Sequence, residues 1–592
     1  MIITLIIGKV IIPMRSILSL LTMPTTKWLE HVQQVLIAGK VVLKRFNRKK
    51  IIYCGLLAVL IMIVSLPAFR SGVYRGHDLP FHFGRIQAIS EMLRTGQFPV
   101  RYEANAWYGY GYISTTMYGN IFLYIPALLF MTGLPLWRVY NIFVVLVNIA
   151  TVVVGFFSFS KIFKSSRYGL LAIYIYTLAG YRLSNVYMRA AVGEFTAMIF
   201  IPLVLYGVYK LYFEDKKQNI VSRNMPLIIG MTGLIQSHIL TTEIISVLLM
   251  VFAVINIKET IPNIKDILVS VVITAGINAF FLVPFIDSYS SMDLYINTDL
   301  TATSIRADGL YLSQVFGLIT RGSGGSYPWT TNDEGYLNTG VVIVLCMLFS
   351  VVGLFLNRKK KSLKYILEIT LFGVLAIWLS TVYFPWDSFV GDSAVAKLMS
   401  SVQYPWRYTL IQTVCFTIAG VYGLKAILDI INTNRAARTI NINYTVLFVL
   451  IAGLSVFATA IFDYTLSCVN ETLYNEVAAV DWADKLYLPS GTDRELLQNV
   501  DYIVDGDEVT LPVLGYDHVV VEDKNGDVLD WSTGENNRIV VKYEGNPDDL
   551  STHFRAPAFW HVAEAVSIIC VIVLVVFQLY EKKRKIGEIS NS

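Results

Sequence analysis

Long runs of apolar residues alternate with short basic clusters along most of the chain. A membrane-spanning helix needs roughly 20 predominantly apolar residues, and several of these runs approach that length. Basic residues concentrate in cytoplasmic loops, so clusters at residues 48–50 and 358–361 mark the cytoplasmic ends of spans. The pattern predicts a polytopic α-helical membrane protein with about twelve transmembrane helices. The predicted spans cover residues 51–69, 138–160, 168–182, 195–211, 226–240, 242–257, 266–286, 338–356, 364–382, 406–428, 443–463 and 562–580.

One apolar run does not fit this alternation. Residues 116–134 are apolar enough to span, but a crossing there would move the basic residues at 161–167 to the outer side. We therefore predict a juxtamembrane or re-entrant helix on the outer face, broken by Pro126 and Gly133 and buried in protein.

The same charge pattern orients the chain. It predicts a multi-pass protein of the plasma membrane with both termini in the cytoplasm. We expect residues 1–50 to be a cytoplasmic or interfacial segment. A signal peptide is less favoured because no small-residue cleavage site is evident, and a true start at Met14 or Met23 is an alternative.

Large loops then lie on the outer side, and the last of them has strand-like alternation. An Asn525-Gly526 pair between residues 518–522 and 528–531 is a hairpin signal, and residues 538–543 alternate as a further strand. We predict a membrane domain over residues 51–463, with a first outer loop at 70–115. A small extracytoplasmic β-containing domain follows at 464–561, and the last span with a basic tail occupies 562–592.

The composition supports a membrane protein and narrows the range of its expected binding partners. The chain of 592 residues is 55% hydrophobic and only 15% charged. In soluble domains, about a quarter of all residues are charged. A net charge of +5 assigned to cytoplasmic loops does not favour binding of nucleic acid. The five cysteines form no paired spacing, so neither disulfides nor a metal cluster is predicted.

The densest group of chemically active residues follows the first span directly. Residues 75–85 contain Asp78, two histidines and two arginines. Asp78 is a candidate general base or metal ligand, and its structural alternative is an ion pair with Arg75 or Arg85. The spacing of His77 and His82 is too weak a signal to assign them as metal ligands. We therefore favour hydrogen bonding to the substrate or to the loop.

Other ionisable residues fall at the same predicted level of the membrane, which favours a shared cleft. Arg189 and Glu194 bracket one turn, where a structural salt bridge is the favoured interpretation. His238 and Glu243 lie in a tight hairpin, where a structural hydrogen bond is as reasonable as a function. Arg407 is either an interfacial arginine or a phosphate clamp, since a guanidinium offers a planar fork of donors.

Aromatic residues enrich the first outer loop and its flank. An aromatic belt at the interface explains most such residues, and stacking on sugar or lipid is the alternative. They are Tyr102, Trp107, Tyr108, Tyr110, Tyr112 and Tyr118.

Glycine-rich segments at 109–111 and 322–325 match no nucleotide-phosphate signature. An outward-facing transferase would therefore need a sugar already activated on a membrane lipid.

A short outer loop with an acid after the first span resembles the GT-C superfamily of integral-membrane glycosyltransferases. More closely, the chain resembles the bacterial YfhO-like family, also labelled 6-pyruvoyl-tetrahydropterin-synthase-related membrane proteins. The matching segments, spread over residues 50–490, are 76–85, 96–102, 107–111 with Tyr118 and Tyr124, 189–194, 237–238, 403–407 and 487–489.

The resemblance implies a GT-C-like fold and a polyprenyl-phosphate-linked sugar donor. Asp78 would deprotonate the acceptor hydroxyl, and Arg407, with Arg189 as a second candidate, would hold the donor phosphate. The acceptor would be extracytoplasmic, either a cell-envelope glycopolymer such as teichoic acid or a lipid. No cofactor is assigned, and nothing in the sequence supports a divalent metal. The full set of candidate substrate-binding residues is His77, His82, Arg85, Arg101, Tyr102, Arg189, Glu194, His238, Gln403, Trp406 and Arg407.

Two other functions fit the same sequence. A transporter or flippase of lipid-linked sugar would use the arginines without needing an acid as base. A non-catalytic membrane scaffold that binds wall polymer would need neither Asp78 nor Arg407.

Overall fold

Helices dominate the structure, which is a computed structural model. It describes residues 48–74, 76–214, 216, 218–298, 305–316, 337–356, 363–389, 391, 393–433, 453, 473–474 and 485–590. The predicted span at 443–463 and the N-terminal residues 1–47 therefore lie outside the described residues, apart from position 453. The chain divides into two compact units, residues 1–59 and residues 60–592, and the site described below lies in the second unit.

The helices are numbered in chain order. They are α1 Arg48–Ser65, α2 Leu79–Arg94, α3 Ser114–Met117, α4 Tyr124–Phe130, α5 Leu136–Ile162, α6 Ser166–Thr177, α7 Gly180–Leu183, α8 Val192–Ala197, α9 Ile201–Phe213, α10 Ile220–Ser237, α11 Ile239–Ile255, α12 Ile257–Thr260, α13 Ile264–Ser291, α14 Tyr295–Thr298, α15 Leu312–Val315, α16 Val341–Leu356, α17 Leu363–Leu379, α18 Ala394–Ser400, α19 Thr409–Thr433 and α20 Ala558–Ser590.

Six helical segments of the described chain are long and apolar enough to cross a membrane. They are Lys49–Phe69, Leu136–Ile162, Val192–Phe213, Ile257–Ser291, Pro405–Ile430 and Ala558–Arg584. Each coincides with a predicted span, which confirms a multi-pass helical membrane architecture. The remaining predicted spans coincide with shorter helices or lie outside the described residues, so the number twelve stays a prediction.

The ambiguous segment 116–134 forms no continuous helix of spanning length. It contains the end of α3 and the helix α4, whose seven residues rise only about 10 Å. Pro126 and Ala127 are buried, whereas Ile125 and Leu128 are exposed. The break expected from the sequence is therefore present, but only one side of α4 is covered by protein.

Glycines allow the closest helix packing in the bundle. Helix α16 packs along α19, and α9 packs along α10. A Cβ on Gly353 would lie 2.5 Å from the Cα of Gly423 on the facing helix, so neither position has room for a side chain. Small residues at such crossings let backbones approach and gain dispersion energy, which is how helices associate in lipid.

The described residues also contain nine strands. They are β1 Val73–Tyr74, β2 Leu473–Tyr474, β3 Ile503–Asp505, β4 Glu508–Leu514, β5 Val519–Glu522, β6 Val528–Leu529, β7 Trp531–Thr533, β8 Arg538–Lys542 and β9 Ser551–Phe554. All pairs are antiparallel, in the orders β1-β2, β3-β4-β8-β7 and β6-β5-β9.

The predicted hairpin is confirmed. Strand β5 pairs with β6 across the turn at Asn525-Gly526, where Gly526 has a φ of +84°, a conformation that favours glycine. The amide of Gly526 donates to the carbonyl of Asp523 at 3.0 Å. A small sheet domain near the C-terminus is thus present.

The segment at residues 100–117 shares the core of this sheet domain. The amide of Leu514 donates to the carbonyl of Tyr110 at 2.8 Å, and the amide of Tyr487 donates to the hydroxyl of Tyr112 at 3.3 Å. Trp107, Tyr110 and Tyr112 are buried among strand residues, so these aromatic side chains are core residues and do not form an interfacial belt.

Candidate functional site

A cavity of about 1310 Å³ lies where several helices end. Its wall is formed by the segment after the first span, the turn between α7 and α9, the α10–α11 junction, the last turns of α13, the segment from α18 to α19, and residues 485–487. The sequence-predicted residues that line it are His77, Asp78, His82, Arg189, Glu194, His238, Gln403 and Arg407. The shared cleft expected from the sequence thus gathers most, but not all, of the candidates.

Asp78 stands at the start of α2 and presents its carboxylate to the cavity. Its side chain is 40% exposed, and its Oδ2 lies 3.8 Å from Nη2 of Arg189. Its amide donates to the carbonyl of Arg189 at 2.8 Å. Among the described residues, the ion-pair partner of Asp78 is therefore Arg189 and not Arg85. The other pairing considered from the sequence, with Arg75, lies outside the described residues.

Arg189 and Glu194 form a buried ion pair, as the sequence indicated. Nη1 of Arg189 donates to Oε2 of Glu194 at 2.9 Å and to Oδ1 of Asn185 at 2.6 Å. Glu194 also accepts from the Tyr181 hydroxyl and, at 2.9 Å, from Asn185. Both oxygens of the acid are therefore satisfied by donors from its own turn.

Arg407 differs from Arg189 in its partners. Its Nη1 donates to the carbonyl of Val402 at 2.9 Å and to Oε1 of Gln403 at 2.7 Å. It makes no ion pair with a carboxylate in the described part of the chain. Its Nε is buried without a hydrogen-bond partner there, so this guanidinium, which belongs to a residue that lines the cavity, keeps one unused donor.

Tyr118 lies between the two buried histidines of the wall. Its ring centroid is 6.2 Å from that of His82 and 5.7 Å from that of His238. Burial, with a contribution from the nearby Arg85, holds the pKa of His82 well below its usual value, so this ring is neutral at physiological pH. A Cβ on Gly193 would overlap the Tyr118 hydroxyl, which explains the glycine before Glu194.

His238 and Glu243 each make a structural hydrogen bond, one of the two interpretations considered from the sequence, and their partners differ. Nδ1 of His238 pairs with the Thr241 hydroxyl at 2.8 Å and caps α11. Glu243 accepts from the Ser401 hydroxyl at 2.6 Å. Both residues still line the cavity.

Arg101 and Tyr102 are engaged away from the cavity. Arg101 donates to Glu564 of α20 at 3.0 Å and to the carbonyl of Phe280 at 2.6 Å. The Tyr102 ring stacks on Phe554 at 5.6 Å in the core of the sheet domain. Their assignment as substrate ligands is not supported by this placement, because the loop folds back onto the sheet domain and α13.

Arg85 and Trp406 lie one layer behind the cavity wall. Arg85 is fully buried, donates to the carbonyl of Gly119 at 3.2 Å, and places its guanidinium 4.3 Å from the Tyr118 ring. Trp406 lies 4.2 Å from the guanidinium of Arg189. Each supports a residue that faces the cavity.

The sequence did not single out several further lining residues. Lys485 follows a segment outside the described residues and holds its Nζ 4.4 Å from the Tyr295 ring. The amide of Ile296 donates to the carbonyl of Leu486 at 2.9 Å, which brings the two segments together. Sequence spacing carries no signal for this contact, because the two segments are far apart in the chain. The other lining residues of this kind are Tyr289 and Lys397.

Apolar residues also line the cavity. They include Ile239 and Leu240 at the start of α11, Phe285 on α13 and Leu398 on α18. Charged and apolar surfaces therefore meet in one cavity, as an amphipathic ligand requires.

Among the described residues, no three or more His, Cys, Asp or Glu side chains come together closely enough to hold a metal ion.

No family model matches the chain. An uncharacterized protein of Lactococcus lactis subsp. cremoris (strain MG1363) is 23% identical over 355 residues, which are 58% of this chain and 56% of that protein. The match therefore spans little more than half of that relative.

Solved structures give weak likenesses. Two crystal structures of the Archaeoglobus fulgidus oligosaccharyltransferase, one apo and one tethered to an acceptor peptide, have TM-scores of 0.41 and 0.44 at 13% and 12% identity. They match 70% and 75% of this chain and 56% and 61% of their own chains. Arabinofuranosyltransferase AftD from Mycobacteria has a TM-score of 0.40 at 12% identity, over 73% of this chain and 28% of its own. Scores in this range do not establish a shared fold, so the function proposed below depends on the cavity itself.

Proposed function

We propose that this protein is a membrane glycosyltransferase of the GT-C type that takes a sugar from a polyprenyl-phosphate donor. The observation that carries the proposal is one large cavity with an accessible carboxylate, Asp78, and a guanidinium without a carboxylate partner in the described chain, Arg407. The acceptor hydroxyl belongs to an extracytoplasmic cell-envelope glycopolymer or lipid, and the site faces outward from the plasma membrane.

Arg407 is the ligand for the donor phosphate. Its Nη1 is occupied by Val402 and Gln403, which fixes the plane of the guanidinium. A buried cation with an unused donor is poorly solvated, and a phosphate oxygen supplies both charge and hydrogen-bond acceptors. Arg407 thereby stabilises the negative charge that grows on the phosphate as the sugar leaves.

The apolar lining residues support a lipid-linked donor. A polyprenyl chain must stay in contact with hydrocarbon while its phosphate reaches Arg407. Ile239, Leu240, Phe285 and Leu398 offer such a surface next to the charged groups. A free nucleotide sugar would gain nothing from it, and the sequence has no nucleotide-phosphate loop.

Asp78 is the general base. The acceptor hydroxyl gives its proton to the Asp78 carboxylate while its oxygen bonds to C1 of the sugar. The bond from C1 to the phosphate oxygen breaks, and polyprenyl phosphate leaves with the electron pair on that oxygen, whose negative charge Arg407 stabilises. General base catalysis of this kind contributes about 10²–10⁴-fold, with the rest from positioning and charge stabilisation.

The test is sugar transfer in proteoliposomes with a panel of polyprenyl-phosphate sugars, comparing wild type with Asp78→Asn. We expect kcat to fall by at least about a hundredfold. Asp530→Asn, which removes an exposed acid of the sheet domain, is the matched control and should transfer like wild type.

The same assay separates the two rival functions. Radiolabelled sugar that crosses the bilayer without reaching an acceptor would indicate a transporter or flippase. Equal transfer by wild type and Asp78→Asn would remove Asp78 from the chemistry. Neither transfer nor transport by the folded protein with the whole panel would favour a scaffold.

A further inference from the structure

We infer that Arg189 is a positioning residue for Asp78 and not a ligand of the donor phosphate. This inference rests on the proposed function, because it assigns Asp78 the role of base. It separates two arginines that line the same cavity, of which the resemblance made Arg407 the first and Arg189 the second candidate for the phosphate.

The first observation is a double attachment between distant segments. The amide of Asp78 donates to the carbonyl of Arg189 at 2.8 Å, and the two side chains approach to 3.8 Å. The main chain and the side chain of Arg189 thus fix both the position and the direction of the Asp78 carboxylate.

The second observation is the close backbone fit beside this attachment. Ala190 has a φ of +55°, which a non-glycine residue rarely adopts. A Cβ on Gly76 would lie 2.6 Å from the Cβ of Ala190 and 3.0 Å from its amide nitrogen. The segment that carries Asp78 can therefore lie against the 189–190 turn only with glycine at position 76.

The third observation is charge balance. Glu194 is buried and pairs with Nη1 of Arg189 at 2.9 Å, while Trp406 lies 4.2 Å from the guanidinium and fixes its plane. An approaching phosphate would find Nη1 of Arg189 already paired with Glu194 and Nη2 already next to Asp78. Arg407 forms no direct ion pair with a carboxylate in the described chain, so we assign the phosphate to Arg407.

Mechanistically, the Arg189–Glu194 pair holds the base at the place where the acceptor hydroxyl arrives. Catalysis depends on such placement, since a shift of about 1 Å in a reacting group costs about 10²-fold in rate. Arg189 need not touch either substrate for this effect.

The test replaces the ion pair as a unit in the full-length protein. Arg189→Gln alone would leave Glu194 buried without its cation, so the double variant Arg189→Gln/Glu194→Gln keeps hydrogen-bonding groups without charge. We expect kcat to fall by about 10²-fold while KM for the donor stays within about twofold, because only a transition-state requirement is lost.

A double-mutant cycle tests whether Arg189 affects the rate through Asp78. Adding the double variant to Asp78→Asn should cause little further loss, since Arg189 acts through a carboxylate that is already gone. Arg407→Gln is the matched arginine control, and it should raise the donor KM in both backgrounds. An equal loss from the double variant in both backgrounds, or a rise in donor KM, would overturn the inference.

Hydrogen exchange gives a readout that does not depend on sugar transfer. The amides of residues 76–82 should exchange faster in the double variant, while those of β4 and β8 keep their wild-type protection. Unchanged protection at 76–82 would contradict the inference. If exchange changes as expected but wild type transfers no sugar, the proposed function fails, and the catalytic part of this inference fails with it.

Discussion

Glu103 is a buried acid that the proposed chemistry does not use. Its carboxylate accepts from the Ser114 hydroxyl at 2.6 Å, and its main chain makes two hydrogen bonds with Tyr112. Burial raises its pKa to about 7 from an ordinary value of 4.5, although hydrogen bonds and Arg85 oppose the rise. The folded state therefore binds a proton at Glu103 more tightly than the unfolded state does.

This linkage predicts a pH-dependent stability difference. The contribution is fully present below about pH 4.5 and is lost as pH rises through about 7, by about 3 kcal/mol in total. Relative to wild type, Glu103→Gln should therefore gain thermal stability as pH rises from about 4.5 to about 8. Melting temperatures in detergent across this range measure the difference.

The exposed acid Glu544 gives the control for this prediction. Glu544→Gln should show no comparable trend, because its carboxylate is exposed in the sheet domain as it is in the unfolded chain. A constant difference between wild type and Glu103→Gln over the whole pH range would contradict the burial argument.

Single residues were predictable where their partners are close in sequence. The Arg189–Glu194 ion pair was predictable because a short turn joins the two residues. The position of Asp78 at the cavity was predictable because the residue comes soon after a span. Arg101 and Tyr102 lie in an equally suggestive segment, yet they bind Glu564 and Phe554. Nothing in their local sequence indicates partners more than four hundred residues away.

Glycine positions decide how closely the helices α16 and α19 pack. A Cβ on Gly423 would overlap the carbonyl oxygen of Phe349, and a Cβ on Gly420 would lie 2.5 Å from that of Cys346. The contact therefore depends on missing side chains along one face of α19. Backbone atoms at the contact cannot move aside as a flexible side chain would.

We predict that Gly423→Ala destabilises the protein by about 1–3 kcal/mol, because overpacking forces α16 and α19 apart. Gly55→Ala is the matched control, since a Cβ there meets no atom of the described chain within 4 Å. It should be neutral or stabilising by up to about 1 kcal/mol. Thermal unfolding in nanodiscs compares the two, and equal melting temperatures would contradict the packing argument.

At the level of elements, apolar runs predicted the positions of the helices well. Length and hydropathy are local properties, and they sufficed for the long segments such as Leu136–Ile162. Which helices pack together was not predictable, because lipid and protein interiors select similar apolar side chains. The hairpin at Asn525-Gly526 was predictable because its turn requires a residue that adopts positive φ.

At the scale of the whole molecule, the sheet domain is not self-contained. Tyr110 and Tyr112 from the first outer loop fill its core and make main-chain and hydroxyl hydrogen bonds to Leu514 and Tyr487. The boundary predicted at residue 464 therefore separates parts of one hydrophobic core. Sequence alone places the loop with the membrane domain because it follows the first span.

We predict that a fragment of residues 485–557 does not fold alone, because its exposed core lacks the aromatic residues of the loop. The same fragment fused through a flexible linker to residues 100–117 should recover dispersed amide signals in an NMR spectrum. A dispersed spectrum from the shorter fragment would show that the loop is dispensable for folding.

The cavity wall includes residues from His77 to Tyr487. During synthesis a chain emerges from its N-terminus, so Asp78 is made long before the last wall segment. A ribosome-bound chain that ends before residue 480 still lacks residues 485–487 of the wall. Under the proposed function, a nascent chain therefore transfers no sugar until this segment has been made.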